Sequence, residues 1–294
     1  MSFKFTSLNK LLYFKIWLPL FSFFPAIIRE PLVILSSQIF ALFSKEPPWF
    51  NTVKTLLDKD LAWTQWKAKE LSTQWRNQLD CFLMPKLDMK DHSHWLSFHN
   101  FESIKDIQRS NESCIIITSH FGRLGLVAPS LRAVNIKSSM LTTSVSEGET
   151  SWDEAERWFH AKNAGNMHLH LGGEWITTTD SPKKIYNLLK NKGTIIIVMD
   201  GLETNSKDLV ELPFLNGTLT LPQGILRISR HSKSKLIYLD SVDKGNKVEV
   251  TATRLNDNPD IALFEAAKLL ENSVKQHPTQ WWMWPAINTI WRSK

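Results

Sequence analysis

Apolar and polar residues follow three successive patterns along the chain. Residues 16–28 and 31–44 are runs of 13 and 14 residues without a charged side chain. Between residues 51 and 87, apolar side chains recur at intervals of three to five positions among charges, which predicts helix. From residue 113 onward, short β-branched runs alternate with amphipathic stretches, which is typical of the strands and helices of an α/β fold.

The alternating part of the chain predicts a sheet covered by helices. The predicted strands cover residues 113–119, 137–145, 167–171, 194–199, 235–239 and 247–254. The predicted helices cover residues 124–134, 151–163, 182–191, 222–230 and 261–275. Gly193 is the predicted C-cap of the third of these helices, and Pro222 is the predicted first-turn residue of the fourth. Because the sequence holds no repeat or low-complexity linker, we predict one α/β domain over residues 46–294, with a mixed central sheet flanked by helices.

The first 45 residues predict an apolar segment that associates with a membrane. A spanning helix needs about 20 apolar residues, and each of the two runs is shorter. Pro19, Pro25 and Pro31 would also kink or end a helix. Five cations and one acid lie in this segment, and an apolar run beside cations is typical of an interfacial anchor facing anionic lipid. We therefore predict that residues 1–45 hold the chain on the cytoplasmic face of a membrane.

Three alternatives explain the same apolar runs. A secretory signal peptide would end in a small-residue cleavage site, whereas this run continues through Pro25 to Arg29 and Glu30. A spanning helix that joined the two runs would bury Arg29 and Glu30 in the membrane, which is costly. A helix buried in the core is the third alternative, because a short apolar run does not separate it from an interfacial one.

Composition and charge exclude several classes of protein. With 43% hydrophobic and 22% charged residues, the chain is neither disordered nor a polytopic membrane protein. Its two cysteines, Cys81 and Cys114, exclude a disulfide scaffold and a four-cysteine zinc site. A net charge of +6 lacks the concentration expected of a nucleic-acid binder. The 13 tryptophans suit either a water–lipid boundary or an ordinary core.

The most informative segment for chemistry is TSHFG at residues 118–122. The predicted strand over 113–119 ends here, and functional groups of open α/β sheets gather beyond the carboxyl ends of strands. His120 is therefore a candidate general base, and the helix that follows offers backbone N–H groups to an oxyanion. Gly122 permits a close backbone approach or a positive φ. The alternative is a hydrogen-bonded histidine with a structural role only.

Several motifs in order resemble those of the late acyltransferases of lipid A assembly. They are SHFG at 119–122, the block VELPFLNGTLTLPQGILRISR at 210–230 with its PFLNG, an aspartate at the end of the strand over 194–199, and PTQWWMW at 278–284. The family is that of the lauroyl and myristoyl transferases, within the lysophospholipid acyltransferase-like superfamily. The resemblance covers most of the chain from about residue 10.

The resemblance implies the activity and the partners of the protein. It implies acyl transfer from a thioester, on acyl carrier protein or coenzyme A, to a hydroxyl or amine of a lipid or lipid-linked acceptor. It implies a site on the cytoplasmic face of the inner membrane. A metal, a cofactor or a nucleic acid is not required.

One position departs from the family's pattern. The family pairs its histidine with an acidic residue that stands where this chain has Gly125. A carboxylate beside an imidazole orients it and stabilises the imidazolium. Either another acid replaces it, or His120 works alone and slowly, or the chain no longer catalyses. Asp200 and Glu203 are the best substitutes, because their strand can end beside the strand of His120. Glu147 and Glu149 are weaker candidates, because they lie in a predicted loop.

Basic residues are candidates for binding substrate. Arg227 and Arg230 are spaced i, i+3 and share one helix face, where they would hold a phosphate of the acceptor or of the phosphopantetheine arm. Gly122, the last residue of the SHFG motif, and Arg123, which follows it, are further candidates for binding substrate. The alternative is a solvated basic surface that also includes Arg123, Lys233 and Lys235.

Other patterns carry less weight. His168 and His170 alternate on the predicted strand over 167–171 and would point to one face, but a zinc site lacks a third ligand. The pair Gly172 and Gly173 is a turn signal without the spacing of a dinucleotide-binding motif. Two rival functions remain: an inactive homologue that binds acyl lipid or acyl carrier protein, and a peripheral membrane protein of unrelated chemistry. The inactive homologue would leave His120 without a carboxylate partner. The unrelated membrane protein would place His120 away from any apolar groove.

Overall fold

The computed structural model describes residues 7–143, 152–201 and 208–293. The helices are α1 (Ser7–Leu12), a π-helical turn (Tyr13–Trp17), α2 (Leu18–Phe21), α3 (Ala26–Leu42), α4 (Trp49–Leu57), α5 (Trp63–Leu83), α6 (Glu102–Arg109), α7 (Val127–Ala133), α8 (Glu154–Leu171), α9 (Lys183–Lys190), α10 (Gly224–Ser232), α11 (Pro259–Gln276) and α12 (Ile287–Ile290). The strands are β1 (Leu96–His99), β2 (Cys114–Thr118), β3 (Ser138–Thr142), β4 (Gly172–Thr177), β5 (Thr194–Val198), β6 (Leu209–Phe214), β7 (Gly217–Pro222), β8 (Lys235–Asp243), β9 (Val248–Arg254) and β10 (Trp291–Ser293).

A seven-stranded sheet lies at the centre, in the order β1-β9-β8-β2-β5-β3-β4. Its strands pair in parallel except for the antiparallel pair β8–β9, which confirms the predicted mixed sheet. β2 and β5 are buried on both faces, which explains why they are continuous apolar runs. Ile115 and Ile117 belong to the core on one face, whereas Cys114 and Ile116 belong to the core on the other.

A second, antiparallel sheet has the order β10-β7-β6. Its hairpin turns at Leu215 and Asn216, which both have positive φ, as a two-residue turn between twisted strands requires. The turn is part of the PFLNG segment. Pro222 is the last residue of β7, and α10 begins at Gly224, so the prediction that Pro222 opens this helix is wrong.

The predicted strand over residues 167–171 is wrong. These residues form the last turn of α8, which begins with a capping box between Asp153 and Glu156 and ends at Gly172 in the left-handed conformation. The alternation of histidine and leucine at residues 168–171 resembles the pattern of a half-buried strand, although it lies in a helix. Residues two apart on a helix point in different directions, so His168 and His170 do not share a face. Within the described ranges, no group of three or more histidine, cysteine or acidic side chains is placed to hold a metal.

The N-terminal segment, predicted to associate with a membrane, folds into a series of helices. Pro19 lies in the first turn of α2, Pro25 caps α3, and Pro31 lies inside α3 without ending it. α3 packs along α5 through Val33 and the small residues Ser37 and Ala41, and its Glu30 accepts a hydrogen bond from Arg76. Every helix in residues 7–143, 152–201 and 208–293 is too short or too polar to cross a membrane. The domain boundary after residue 45 stays a prediction.

A buried chain of charges lies beneath the site. Arg76 bridges Glu30 and Asp243, with N–O distances of 2.7 and 2.8 Å. Arg123 donates from Nε to Asp80 Oδ2 at 2.8 Å, makes a second, shorter contact from Nη2 to Oδ1, and donates from Nη1 to the carbonyl of Gly245. Burial alone would lower the pKa of Arg123, but the neighbouring carboxylates hold it above its ordinary value. Breaking such a pair leaves an uncompensated buried charge, so the network joins α3 and α5 firmly to the sheet.

Candidate active site

The candidate site is built where β2 and β5 end. The two strands are adjacent and parallel, with Thr118 opposite Val198, so their carboxyl ends meet at one edge of the sheet. The N–H of Met199 donates to the carbonyl of Thr118 at 2.8 Å and continues the pairing past the last strand residues. His120 and Asp200, each two residues beyond the end of its strand, therefore lie side by side.

His120 and Asp200 make a close pair. The ring Nδ1 lies 2.9 Å from Oδ1 of Asp200, and the backbone N–H of His120 donates to the same oxygen at 2.8 Å. The second oxygen, Oδ2, accepts a hydrogen bond of 2.9 Å from Nε1 of Trp281. Asp200 is only 1% exposed, and its two oxygens thus face three donors of the protein. With Nδ1 engaged, Nε2 is the ring nitrogen left for a substrate.

Two opposing effects set the basicity of His120. Burial favours the neutral ring and lowers its pKa, whereas the charge of Asp200 and its hydrogen bonds favour the imidazolium. The contributions of Asp200 prevail, so the pKa of His120 lies above its ordinary value of 6.5. A ring held in this way is a stronger base than a free histidine, and Asp200 stabilises the cation that forms when it takes a proton.

The PTQWWMW segment at 278–284 supports the loop that carries His120. The N–H of Trp282 donates to the carbonyl of His120 at 2.9 Å, and the N–H of Gly122 donates to the carbonyl of Gln280 at 2.9 Å. Trp281 and Trp284 are each 2% exposed, so these two tryptophans belong to the core. Backbone hydrogen bonds from this segment therefore hold the loop that follows β2.

Gly122 is required by its conformation and its surroundings. Its φ is +55°, and a Cβ at this position would lie 1.8 Å from the carbonyl oxygen of Ser241. Both the close approach and the positive φ expected from the sequence are thus present. The N–H groups of His120, Phe121 and Gly122 are all engaged by protein acceptors. None of these three is available to an oxyanion.

A cavity of about 660 Å³ opens beside the ring of His120. This volume lies within the range of small-molecule sites. Its apolar walls include Leu124, Met140, Phe159, Met167, Trp175 and Ile197. Its polar lining includes carboxamides on α5 and α8, and Gly125 lines it as well. Among the described residues that line it there is no lysine, arginine, aspartate or glutamate.

The structure brings together only some of the residues singled out by sequence. His120 and Asp200 meet, as the neighbouring strand ends predicted. Arg123 is buried against Asp80 and does not line the cavity. Arg227 and Arg230 share α10, but each is exposed and paired with an acid, Asp208 and Asp260 respectively, outside the cavity.

Three acidic candidates cannot be placed. Glu203, Glu147 and Glu149 lie outside the described residues. Sequence reasoning, in turn, missed two contributions. It left the role of Trp281 toward Asp200 unassigned, and it did not single out Gln74, Asn77 and Gln78 on the cavity wall. The only signal for the last three was their i, i+3, i+4 spacing in a stretch of predicted helix.

The geometry describes a class of site: a histidine paired with a buried carboxylate, in the lining of a largely apolar cavity. The sequence matches the model of the family described as bacterial lipid A biosynthesis acyltransferase over residues 70–287, so the chain belongs to this family. It is thus an acyltransferase of lipid biosynthesis, with an acyl donor and a lipid acceptor in general terms. None of the curated proteins with which the sequence was compared matches it.

Proposed function

We propose that this chain transfers a fatty acyl group from a thioester to a hydroxyl or amine of a lipid acceptor, with His120 as the general base and Asp200 as the residue that orients it. The observation that carries the proposal is the 2.9 Å contact between Nδ1 of His120 and Oδ1 of Asp200. It supports Asp200 as the acid of the pair in a chain that has Gly125 at the position of the family's acid. The inactive homologue, by contrast, was expected to leave His120 without a carboxylate partner.

The reaction follows from the groups present. Nε2 of His120 takes the proton of the acceptor hydroxyl, and the oxygen attacks the thioester carbonyl carbon. A carbon–oxygen bond forms and gives a tetrahedral oxyanion, while Asp200 stabilises the imidazolium. The carbon–sulfur bond then breaks, and the imidazolium returns its proton to the departing thiolate. The products are an acyl ester and a free thiol.

The apolar part of the cavity suits the acyl chain. Phe159, Met167 and Ile197 line the same cavity as His120. Each methylene that leaves water contributes about 0.8 kcal/mol, so such walls hold a fatty chain through area alone. We assign the donor to acyl carrier protein or acyl-coenzyme A, because both present a fatty thioester.

The N-terminal helices support a membrane site for this reaction. Most of the exposed large apolar side chains in the described part of the chain lie between residues 12 and 43. Phe23 is 73% exposed and Ile27 is 84% exposed. Lys86 lies over the ring of Phe23, with Nζ 3.9 Å from its centroid, so cations border this surface. An apolar patch beside cations binds anionic bilayers, and we place the site on the cytoplasmic face of the inner membrane.

The first experiment measures transfer from radiolabelled acyl carrier protein into total lipid extract. We expect labelled product from the wild type, its loss in His120→Ala, and its retention in His94→Ala, which changes an exposed histidine away from the cavity. No product with several chain lengths, or with acyl-coenzyme A, would favour the inactive homologue. Product that survives His120→Ala would contradict the mechanism.

A second experiment tests the membrane surface. Ile27→Glu should weaken flotation with vesicles containing phosphatidylglycerol by about tenfold or more, because burying a large apolar side chain contributes roughly 1.5–3 kcal/mol. The control is Leu169→Glu, which changes a side chain of α8 that is 72% exposed outside this patch. Equal binding of the two variants would exclude the N-terminal helices as the contact.

A further inference from the structure

Hydrogen bonds connect α3, near the N-terminus, with the last residue of β8, Asp243. Glu30 of α3 accepts from Nε of Arg76 at 2.7 Å, and Nη1 of Arg76 donates to Oδ2 of Asp243 at 2.8 Å. A guanidinium is planar and presents its donors in a fixed fork, so acids on two of its nitrogens set its orientation as well as balance its charge. Without Glu30, Nε of the buried Arg76 loses its acceptor and one side of the fork is released.

Gln280 carries the connection from Asp243 to the loop that follows β2. Its Oε1 accepts from the backbone N–H of Asp243 at 2.8 Å, and its Nε2 donates to the carbonyl of Asp243 at 3.0 Å. One carboxamide thus satisfies both backbone groups of Asp243. The carbonyl of Gln280 accepts from the N–H of Gly122 at 2.9 Å. The contacts therefore run without a break from Glu30 to Gly122, two residues after His120.

Asp243 also reaches the residue after Gly122. Its Oδ1 accepts from the N–H of Gly245 at 3.0 Å, and the carbonyl of Gly245 accepts from Nη1 of Arg123 at 2.9 Å. Gly122 packs so closely against β8 that a Cβ there would lie 1.8 Å from the carbonyl oxygen of Ser241. Close-packed interiors transmit strain, so a displacement at the end of β8 is passed on to the loop.

The two faces of α3 have different surroundings. Ile27 and Leu35 are exposed and belong to the proposed membrane surface, whereas Glu30 and Val33 face α5. The position of Glu30 is thus set by the same helix that carries the apolar surface. Because misplacing a reacting group by about 1 Å can cost about 10²-fold in rate, the support of the His120 loop bears on catalysis.

We infer that Glu30 is a positioning residue for His120. It acts through Arg76 and Asp243 on the loop that carries the base, so the seating of α3 on the domain sets the geometry of the site. The role of His120 as a base rests on the proposed acyl transfer. The positioning itself does not, because it follows from the contacts that join Glu30 to the loop.

Variants of Glu30 in the full chain test the inference. Glu30→Ala removes the acceptor of Arg76 and should lower kcat for acyl transfer about threefold to thirtyfold, with KM for the acyl donor changed less than about twofold. Glu30→Gln keeps an acceptor oxygen of the same reach and should restore at least about half of the wild-type kcat. Glu30→Asp withdraws the carboxylate by one methylene, and it makes the same comparison if alanine prevents folding.

Glu46→Ala is the matched control. Its carboxylate pairs with Lys54 in an exposed contact, so its loss should leave kcat unchanged. Flotation of Glu30→Ala with vesicles should also match the wild type, because the exposed face of α3 is not altered. Equal kcat per folded molecule in Glu30→Ala and Glu46→Ala would overturn the inference, even if the melting temperature of the former fell. A loss of kcat that only parallels weaker flotation would overturn it as well.

The titration of the His120 ring gives a readout that needs no turnover. Burial lowers the pKa of His120, and Asp200 raises it above its ordinary value, so a ring displaced from Asp200 should titrate at a lower pH. NMR should show this shift in Glu30→Ala, a smaller one or none in Glu30→Gln, and none in Glu46→Ala. A purely structural role for Glu30 would leave the titration of His120 where it is in the wild type.

A double variant tests the route. Gln280→Met removes both side-chain contacts with Asp243 and keeps a side chain of similar length. If Glu30 acts through Asp243 on the loop, Glu30→Ala should lower kcat less in Gln280→Met than in the wild type, because the connection is already weakened. Losses of kcat that multiply independently would overturn the inference.

Failure of the positioning and failure of the reaction give different results. Acyl transfer that depends on His120 but is unchanged in Glu30→Ala would overturn the positioning and leave the proposed function intact. A shifted titration of His120 in Glu30→Ala, without acyl transfer by the wild type, would support the positioning and overturn the proposed reaction.

Discussion

Asp200→Asn is the sharpest test of the His120–Asp200 pair, because it changes the charge of the residue and almost nothing of its shape. The carboxylate uses one oxygen for His120 and the other for Trp281. An amide has a single acceptor oxygen, so one of these two sides must face its NH₂ group. If the oxygen stays with His120, the indole N–H of Trp281 is left opposite another donor.

The structure sets the size of both effects. An unsatisfied buried donor costs about 1–3 kcal/mol, which is the expected loss in the free energy of unfolding. Loss of the charge that stabilises the imidazolium should lower the rate of acyl transfer on the order of 10³- to 10⁴-fold. The pKa of His120 should also fall, because burial then acts without the opposing charge of Asp200.

The pH dependence has a definite sign. The pKa of His120 is raised in the folded state, so the pair contributes most stability below pH 6.5 and loses its ionic part as the pH rises through the raised value. The difference in stability between wild type and Asp200→Asn should therefore be larger at pH 6 than at pH 9. The base must be neutral to act, so the acidic limb of the pH–rate profile should move to lower pH in the variant.

Three assays check these expectations: the rate of acyl transfer against pH, thermal unfolding at pH 6 and pH 9, and NMR titration of the His120 ring. The ring signal is identified by its loss in His120→Ala. Asp208→Asn is the control, because it neutralises an exposed carboxylate paired with Arg227. A variant that retained a third of the wild-type rate, or an unchanged titration of His120, would refute Asp200 as its partner.

Two further matched pairs of variants test the support of the site. Gly122→Ala should unfold the protein or lower its melting temperature sharply, because a Cβ would lie 1.8 Å from the carbonyl oxygen of Ser241, whereas Gly125→Ala, with no atom closer than 3.5 Å, should change it little. Similar melting temperatures for the two would contradict the close approach. Arg123→Ala should cost about 3–5 kcal/mol in chemical denaturation, since it leaves a buried carboxylate unpaired, while Arg227→Ala at an exposed pair should cost little. An inexpensive loss of Arg123 would refute the buried network.

The central strands were predictable because strands buried on both faces of a parallel sheet have a recognisable sequence pattern. Residues 113–119 and 194–199 are apolar without alternation, as strands covered on both faces must be. Once both are strands of one sheet, their carboxyl ends can meet, and the pairing of His120 with Asp200 follows from that. Residues 167–171 failed because two histidines and two leucines alternate there by chance, while the decisive signals lay at the two ends of α8, in Asp153 and Gly172.

The rest of the site depends on contacts that no local pattern encodes. Trp281 reaches Asp200 across 81 residues of sequence, and a tryptophan in an aromatic run predicts burial but not a hydrogen-bond partner. The prediction that Arg123 binds substrate failed because its sequence position does not reveal its partner in the fold. Arg123 stands beside the motif in sequence, yet the packing of α5 places Asp80 against it, and the charge is used within the fold.

The spacing of the site along the chain has a consequence for its biosynthesis. Asp200 follows His120 by 80 residues, and Trp281 follows Asp200 by a further 81. A ribosome makes these three groups in that order, at about 5–20 residues per second, so several seconds separate the first from the last. During that interval a nascent chain has the histidine without its carboxylate, and then the carboxylate without its tryptophan. The helices near the N-terminus, which carry the proposed membrane surface, emerge long before His120, Asp200 and Trp281 are all present.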